Sequence, residues 1–303
     1  MLIVVALGGN ALIRRGQPLE ARVQQANTAI AAQGLASIVD AGHQIVVTHG
    51  NGPQVGLLAL QNEAYTSVRP YPLDVLGAES QGMIGYLVAQ ELRNTRARPD
   101  VATLLTQVIV DASDPAFRQP TKPIGPGYTA TAARDLAAAF GWVVGPDGDG
   151  WRRLVASPEP RRIVELAAIR TLVAAGVTVI CAGGGGIPVV EGDGGSRRGV
   201  EAVIDKDLSA ALLATELSAD VLLLLADVDA VYTAWATPEA HSLRQTTAVE
   251  LRAMRFAPGS MAPKIEAACR FVEAGGRFAA IGALEDGLAI LRGERGTRIT
   301  LTP

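Results

Sequence analysis

Leu2-Ile-Val-Val-Ala-Leu7 is an unbroken apolar run that passes directly into Gly8-Gly9-Asn10, and the same order of residue types returns twice further on. Thr48-His-Gly-Asn-Gly-Pro-Gln54 closes an apolar run at 45–48, and Cys181-Ala-Gly-Gly-Gly-Gly-Ile-Pro188 closes another at 177–181. A strand that is apolar at every position, without alternation, is buried on both faces, as in a parallel sheet covered by helices. Further runs of this kind stand at 101–110, 221–225 and 278–282. Between them lie amphipathic patterns that predict helices over 18–41, 53–63, 78–96, 161–175, 207–217 and 261–275. Strands alternating with helices in this way predict a three-layer α/β/α sandwich with a mainly parallel central sheet.

In such sheets ligands bind beyond the carboxyl ends of the strands, where glycine lets backbone N–H groups approach an anion closely. Three glycine loops at equivalent strand ends are therefore a stronger signal than one, because an isolated glycine loop is as readily a tight turn. Pro53 suits the start of a helix, which places Gly50, Asn51 and Gly52 at a helix N-terminus, where the dipole favours negative charge. Two familiar nucleotide motifs are absent. A Walker A loop needs Gly-Lys-Ser/Thr, whereas Lys122, Lys206 and Lys264 follow Thr, Asp and Pro. The dinucleotide fingerprint fails because Pro188 stands where its third glycine should be.

Those three are the only lysines among 27 Lys plus Arg, where average usage would give roughly 15 to 20 in a chain of this length. A compositional bias toward arginine explains the shortage but not the positions of the survivors, each in a loop-like motif. An ammonium is a compact point charge with three donors, suited to phosphoryl oxygens in a way that a planar guanidinium is not. Phosphoryl transfer asks mainly for positioned positive charge, so the lysines and the glycine-loop amides form a matching inventory. Asp205 and Asp207 flank Lys206; Asp207 is a candidate both to organise the lysines and to cap the helix that starts there.

Composition bounds the rest. A net charge of −3 offers no basic field for nucleic acid, and 49% hydrophobic residues imply a substantial core. No apolar stretch approaches the roughly 20 residues of a membrane span, and the start of the chain has no charged leader, so a cytoplasmic protein is expected. Cys181 and Cys269 read as buried thiols in a reducing compartment. His43, His49 and His241 have no metal-ligand spacing and read as structural, with His49, inside the second glycine loop, the least secure. Seven of the seventeen prolines fall between Pro115 and Pro160, so the segment 111–160 is expected to leave the strand–helix rhythm as a small subdomain, either a lid or a surface insertion.

Taken together, Leu7-Gly-Gly-Asn10, His49-Gly-Asn-Gly-Pro-Gln-Val-Gly56, Gln81-Gly-Met-Ile-Gly-Tyr86, Leu105-Thr-Gln-Val108, Thr121-Lys-Pro-Ile-Gly-Pro126, Gly183-Gly-Gly-Gly-Ile-Pro188, Gly199-Val-Glu-Ala-Val-Ile-Asp-Lys-Asp207 and Ala257-Pro-Gly-Ser-Met-Ala-Pro-Lys264 resemble the carbamate kinases, within the amino acid kinase fold. The resemblance runs in order from residue 2 to about residue 275. It implies a phosphotransferase that makes carbamoyl phosphate from carbamate and MgATP, often run in reverse to make ATP from ADP. It also implies that Gly8, Gly9, Asn10, Gly50, Asn51 and Gly52 surround carbamate and the transferring group. Lys122, Lys206 and Lys264 would neutralise phosphate oxygens, with Asp207 organising them. The nucleotide would lie near Asp227, Tyr232, Gly259 and Met261, and Mg2+ would be held by its phosphates, so no protein metal ligand is named.

The implied organisation is one domain over 1–303. An N-terminal lobe over 1–200 carries the carbamate side and the 111–160 lid, and a C-terminal lobe over 201–303 carries the nucleotide side. A cytoplasmic homodimer is implied as well. One departure stands at Ala226-Asp-Val-Asp229, where the family often has Thr-Gly-Val-Asp or Thr-Asp-Val-Asp. Two alternatives remain open on sequence alone: a related kinase of acetylglutamate or aspartate, and a catalytically silent nucleotide-binding regulator of the same fold.

Overall fold

The three glycine-terminated strands lie in one eight-stranded sheet of a computed structural model, which describes residues 1–303 apart from 10, 11, 15, 236 and 257–260. Across the sheet the order is Gln245–Thr247, Thr297–Thr300, Phe278–Ala283, Val221–Ala226, Leu2–Leu7, Gln44–His49, Thr178–Ile180 and Val101–Thr103. The strands from Phe278–Ala283 to Val101–Thr103 run parallel to one another, while Thr297–Thr300 is antiparallel to its neighbour Phe278–Ala283. Leu2–Leu7 is central, paired on one side with Gln44–His49 and on the other with Val221–Ala226.

That position explains why the run does not alternate. Successive strand residues point to opposite faces, so Ile3, Val5 and Leu7 enter one core and Val4 and Ala6 the other. The helices Ala21–Asp40 and Leu73–Asn94 cover the first face; Lys206–Glu216 and Met261–Glu273 cover the second. Each fully buried Ile, Val or Leu contributes about 1.5–3 kcal/mol, so a polar residue is costly on either face. The expected three-layer α/β/α architecture with a mainly parallel sheet is the observed one.

Two of the expected elements are divided. The run at 101–110 is two strands, Val101–Thr103 on the edge of the main sheet and Gln107–Val110 in a second, four-stranded sheet. The chain turns between them because the buried Gln81 side chain accepts the Thr106 N–H at 2.8 Å and its amide donates to Thr106 O at 3.2 Å, a capture that the apolar pattern cannot reveal. The helix expected over 161–175 begins as the strand Pro160–Ile163 and becomes helical only over Leu166–Ala174.

The proline-rich segment does form a small subdomain: an antiparallel three-stranded sheet, ordered Lys122–Tyr128, Gly150–Val155, Val143–Asp147, with the helix Ala130–Phe140. Pro123, Pro126 and Pro146 sit on its two outer strands and none on the central one, as expected for a residue that cannot donate to a ladder. Ile124 and Val155 pack with Val55, Leu73 and Leu76, which fixes the strand that starts at Lys122 against the main body.

Candidate active site

Beyond the carboxyl ends of the central strands lies a cleft of about 470 Å³, and all three lysines line it. Lys206 opens the helix Lys206–Glu216, Lys264 lies in the first turn of Met261–Glu273, and Lys122 comes from the small sheet. The two aspartates divide the work that sequence left open for Asp207. Asp205 is the helix cap, its Oδ1 accepting the N–H groups of Asp207 (2.9 Å) and Leu208 (3.2 Å). Asp207 is thereby left to the lysines, with Oδ1 at 2.5 Å from Lys206 Nζ and Oδ2 at 3.1 Å from Lys264 Nζ.

Asp207 is buried, and burial alone raises a carboxyl pKa; the Lys206 and Lys264 charges outweigh it and hold the group below the usual carboxylate range. Lys122 donates to Ile204 O at 3.1 Å and lies 3.8 Å from Asp205 Oδ2. Burial pushes the Lys122 pKa down, with Asp205 and Asp207 opposing the shift.

The glycine loops close the other side. Gly9, Gly50, Asn51 and Gly52 line the cleft, with Asn51 at the N-terminus of the helix Gly52–Ala64. A Cβ on Gly50 would come within 2.8 Å of Gly9 N, so glycine there is what lets two strand ends meet. The third loop contributes Gly184, at φ +66°, where a Cβ would collide with the Asn51 side chain at 2.2 Å. Asn51 is oriented from behind by Ser80, whose hydroxyl accepts its Nδ2 at 2.8 Å, and the loop itself by Gln81 donating to Gly183 O and Ser209 to Gly185 O.

His49 lies beneath the loops, buried, with Nδ1 at 3.0 Å from Gly50 O. A carbonyl can only accept, so Nδ1 carries the proton. Burial holds its pKa down to about 4, partly offset by that hydrogen bond, so the ring is neutral at pH 7. This agrees with a structural histidine.

Two of the expected residues keep their N–H groups in the sheet. Gly8 does not line the cleft, and its N–H is spent on Leu225 O at 2.8 Å; the Gly50 N–H is likewise given to Leu7 O at 2.9 Å. Both extend the parallel ladders, which strand-end counting could not foresee. Asn10 lies outside the described residues.

A second pocket, of about 620 Å³, is lined by Tyr232, Trp235, Met254, Phe256 and Met261 among others. Tyr232 and Trp235 meet edge to face at 5.3 Å, and the Tyr232 hydroxyl donates to Asp229. Tyr232 and Met261 both line this pocket, whereas Asp227, exposed at the end of Val221–Ala226, does not; Gly259 lies outside the described residues. One helix start borders both spaces: Met261 faces this pocket, Pro263 and Lys264 the lysine cleft. Sequence reading missed Trp235, Phe256 and Arg152, the last a further cation on the cleft. In a chain with 24 arginines, nothing local distinguishes Arg152.

A cationic cleft at the glycine-loop ends of a parallel sheet, joined through one helix start to an aromatic pocket, defines a phosphotransferase of the amino acid kinase family. The chain belongs to that family, whose model matches residues 1–282. Within it the similarity is to carbamate kinases. The chain is 56% identical over 303 residues to the carbamate kinase of Rhizobium meliloti (strain 1021), covering 99% of this chain and 93% of that protein. It is 50% identical over 299 residues to that of Escherichia coli (strain K12), covering 99% of each. The structure of carbamate kinase from Giardia lamblia bound to AMP-PNP superposes with a TM-score of 0.92 at 41% identity, covering 99% of this chain and 98% of that one. The resemblance carried by the motifs therefore extends over the whole chain.

Proposed function

We propose that the chain transfers a phosphoryl group reversibly between ATP and carbamate, giving ADP and carbamoyl phosphate, with Lys122, Lys206 and Lys264 as its electrostatic catalysts. The observation that carries this reading is the Asp207 carboxylate holding two ammonium groups at the cleft wall while the small sheet supplies the third. Carbamate is already an anion, so its oxygen can attack the γ-phosphorus without a general base. As that O–P bond forms, the bond to the bridging oxygen of ADP breaks, and the charge spread over the phosphoryl oxygens and the leaving ADP is met by the lysines and the loop amides. A neutral His49 has no proton-transfer part in this.

The nucleotide enters as its magnesium complex, the metal held chiefly by the phosphates. Among the described residues no group of three or more His, Cys, Asp or Glu is placed to hold a metal, and Asp205 and Asp207 are already committed to the helix end and the lysines. The adenine side is assigned to the pocket of Tyr232, Trp235 and Met261, with the phosphates reaching past Met261 toward Lys264. Residues 1–200 and 201–303 act as carbamate-side and nucleotide-side lobes, and 111–160 as a lid that delivers Lys122. A homodimer and a cytoplasmic location complete the reading; among the described residues no helix is long and apolar enough to cross a membrane.

The test is ATP formation from ADP, Mg2+ and carbamoyl phosphate by the purified chain. Activity on acetylglutamate or aspartate with none on carbamoyl phosphate would move the assignment to another kinase of the fold.

A further inference from the structure

We infer that Arg152 is a further substrate-binding residue: a fourth cation, carried by the small sheet, that meets the anionic oxygens of the acyl phosphate. The inference rests on the reading of the lysine cleft as the carbamoyl phosphate site. Arg152 lines that cleft together with Lys122, Lys206 and Lys264, and it is absent from the lining of the aromatic pocket. Its position therefore points to the acyl phosphate rather than to the nucleotide base.

What holds each cation separates Arg152 from its neighbour. Arg153 reaches to the main body, its side chain 17% exposed. There Nη2 donates to Glu201 Oε2 at 2.7 Å and the guanidinium lies 4.4 Å from the Trp142 ring centre. The other Glu201 oxygen accepts the Leu73 N–H at 3.1 Å, so this carboxylate ties the small sheet to the start of the helix Leu73–Asn94. Arg153 is a fixed post. Among the described residues the ion-pair partner of Arg152 is Asp147, at 3.1 Å, with the two side chains 41% and 39% exposed. A pair this exposed contributes about 0–1 kcal/mol, so an incoming anion displaces Asp147 at little cost.

The cleft also needs the charge. Its lining offers four cations against Asp205 and Asp207, and both carboxylates are already engaged by helix N–H groups and lysines. Arg152 takes neither of them, and a guanidinium fork matches a planar or tetrahedral oxyanion through two parallel N–H donors. Lysine at this position would keep the charge and lose the fork.

The test uses the full chain with ADP, Mg2+ and carbamoyl phosphate. Arg152→Gln is expected to lower kcat/KM for carbamoyl phosphate about 30-fold, the loss of one charge-assisted contact, with KM for ADP changed less than about twofold. Arg152→Lys should recover only part of the loss. An unaltered KM for ADP shows that the variant is folded and its nucleotide side intact. A kcat/KM for carbamoyl phosphate within about twofold of wild type, or KM values for both substrates raised by the same factor, would overturn the assignment. If Arg152→Gln does not fold, Arg152→Lys decides by the same about-twofold criterion. Wild-type inactivity on carbamoyl phosphate would instead overturn the underlying reading of the cleft.

Discussion

Replacing Asp207 by asparagine removes the carboxylate that touches both Lys206 and Lys264 while leaving its shape almost unchanged. Two ammonium groups then face each other across an amide that can accept from one of them and cannot balance either. Breaking a buried ion pair by removing one partner costs about 3–5 kcal/mol. Here the lysine side chains are 15% exposed and line a wet cleft, so turning toward water relieves part of that, and a loss of about 2–4 kcal/mol is expected. In a chain of this size such a loss lowers Tm by roughly 3–6 °C.

Turnover should fall further, by about 100-fold or more, because the lysines lose their set positions at the phosphoryl group. The sign with pH follows from the depressed pKa of Asp207. Its contribution to stability is full above the ordinary carboxylate range and disappears as pH falls through the lower folded value, so wild type and variant converge in acid. The double variant Asp207→Asn/Lys264→Met should regain stability, one of the facing charges being gone, without regaining turnover. Thermal unfolding followed by circular dichroism, alongside ATP formation from carbamoyl phosphate, measures both quantities. A single variant with unchanged Tm and turnover within about threefold of wild type would refute the claim that this carboxylate organises the lysines.

Lys206→Arg should lose about 100-fold in turnover while remaining folded, because a planar fork cannot occupy the ammonium position between Asp207 and the cleft; near-normal turnover would show that charge alone suffices there. Lys122→Ala should depress turnover with little change in Tm, since its contacts with Ile204 O and Asp205 are partly exposed; a large Tm loss would make Lys122 a structural residue. His49→Gln should flatten the pH dependence of stability: a histidine with pKa near 4 when folded contributes stability above pH 6.5 that is lost as pH falls toward 4, about 3 kcal/mol in all, and an unchanged stability–pH curve would contradict it. Titration with ADP should change the fluorescence of Trp235, and Trp235→Ala should raise KM for ADP while sparing KM for carbamoyl phosphate; the reverse pattern would exchange the two pockets.

The fold was legible to the extent that it is written in short-range pattern. The central strands are apolar at every position because both faces of the sheet are covered, and that fact is visible in Leu2–Leu7 before any tertiary contact is known. Glycine at three strand ends and lysine at three isolated positions were likewise readable, because close backbone approach and ammonium chemistry each demand one residue type. By contrast, the division of 101–110 depends on Gln81, a helix residue some 25 positions away that captures Thr106.

Within the site, sequence alone determined which residue types gather at the cleft, and only the tertiary structure decided which groups each one contacts there. Asp205 and Asp207 look equivalent beside Lys206, yet helix geometry turns one toward the N–H groups and the other toward two lysines from separate elements. Gly8 and Gly50 look like anion donors, yet the parallel ladders consume their N–H groups. Arg152 looks like any other arginine, and only the folding of the small sheet over the strand ends brings it to the lysine cleft. Composition and spacing constrain which groups a chain contains; the directions in which backbone N–H groups and side chains point are fixed by which strands and helices become neighbours.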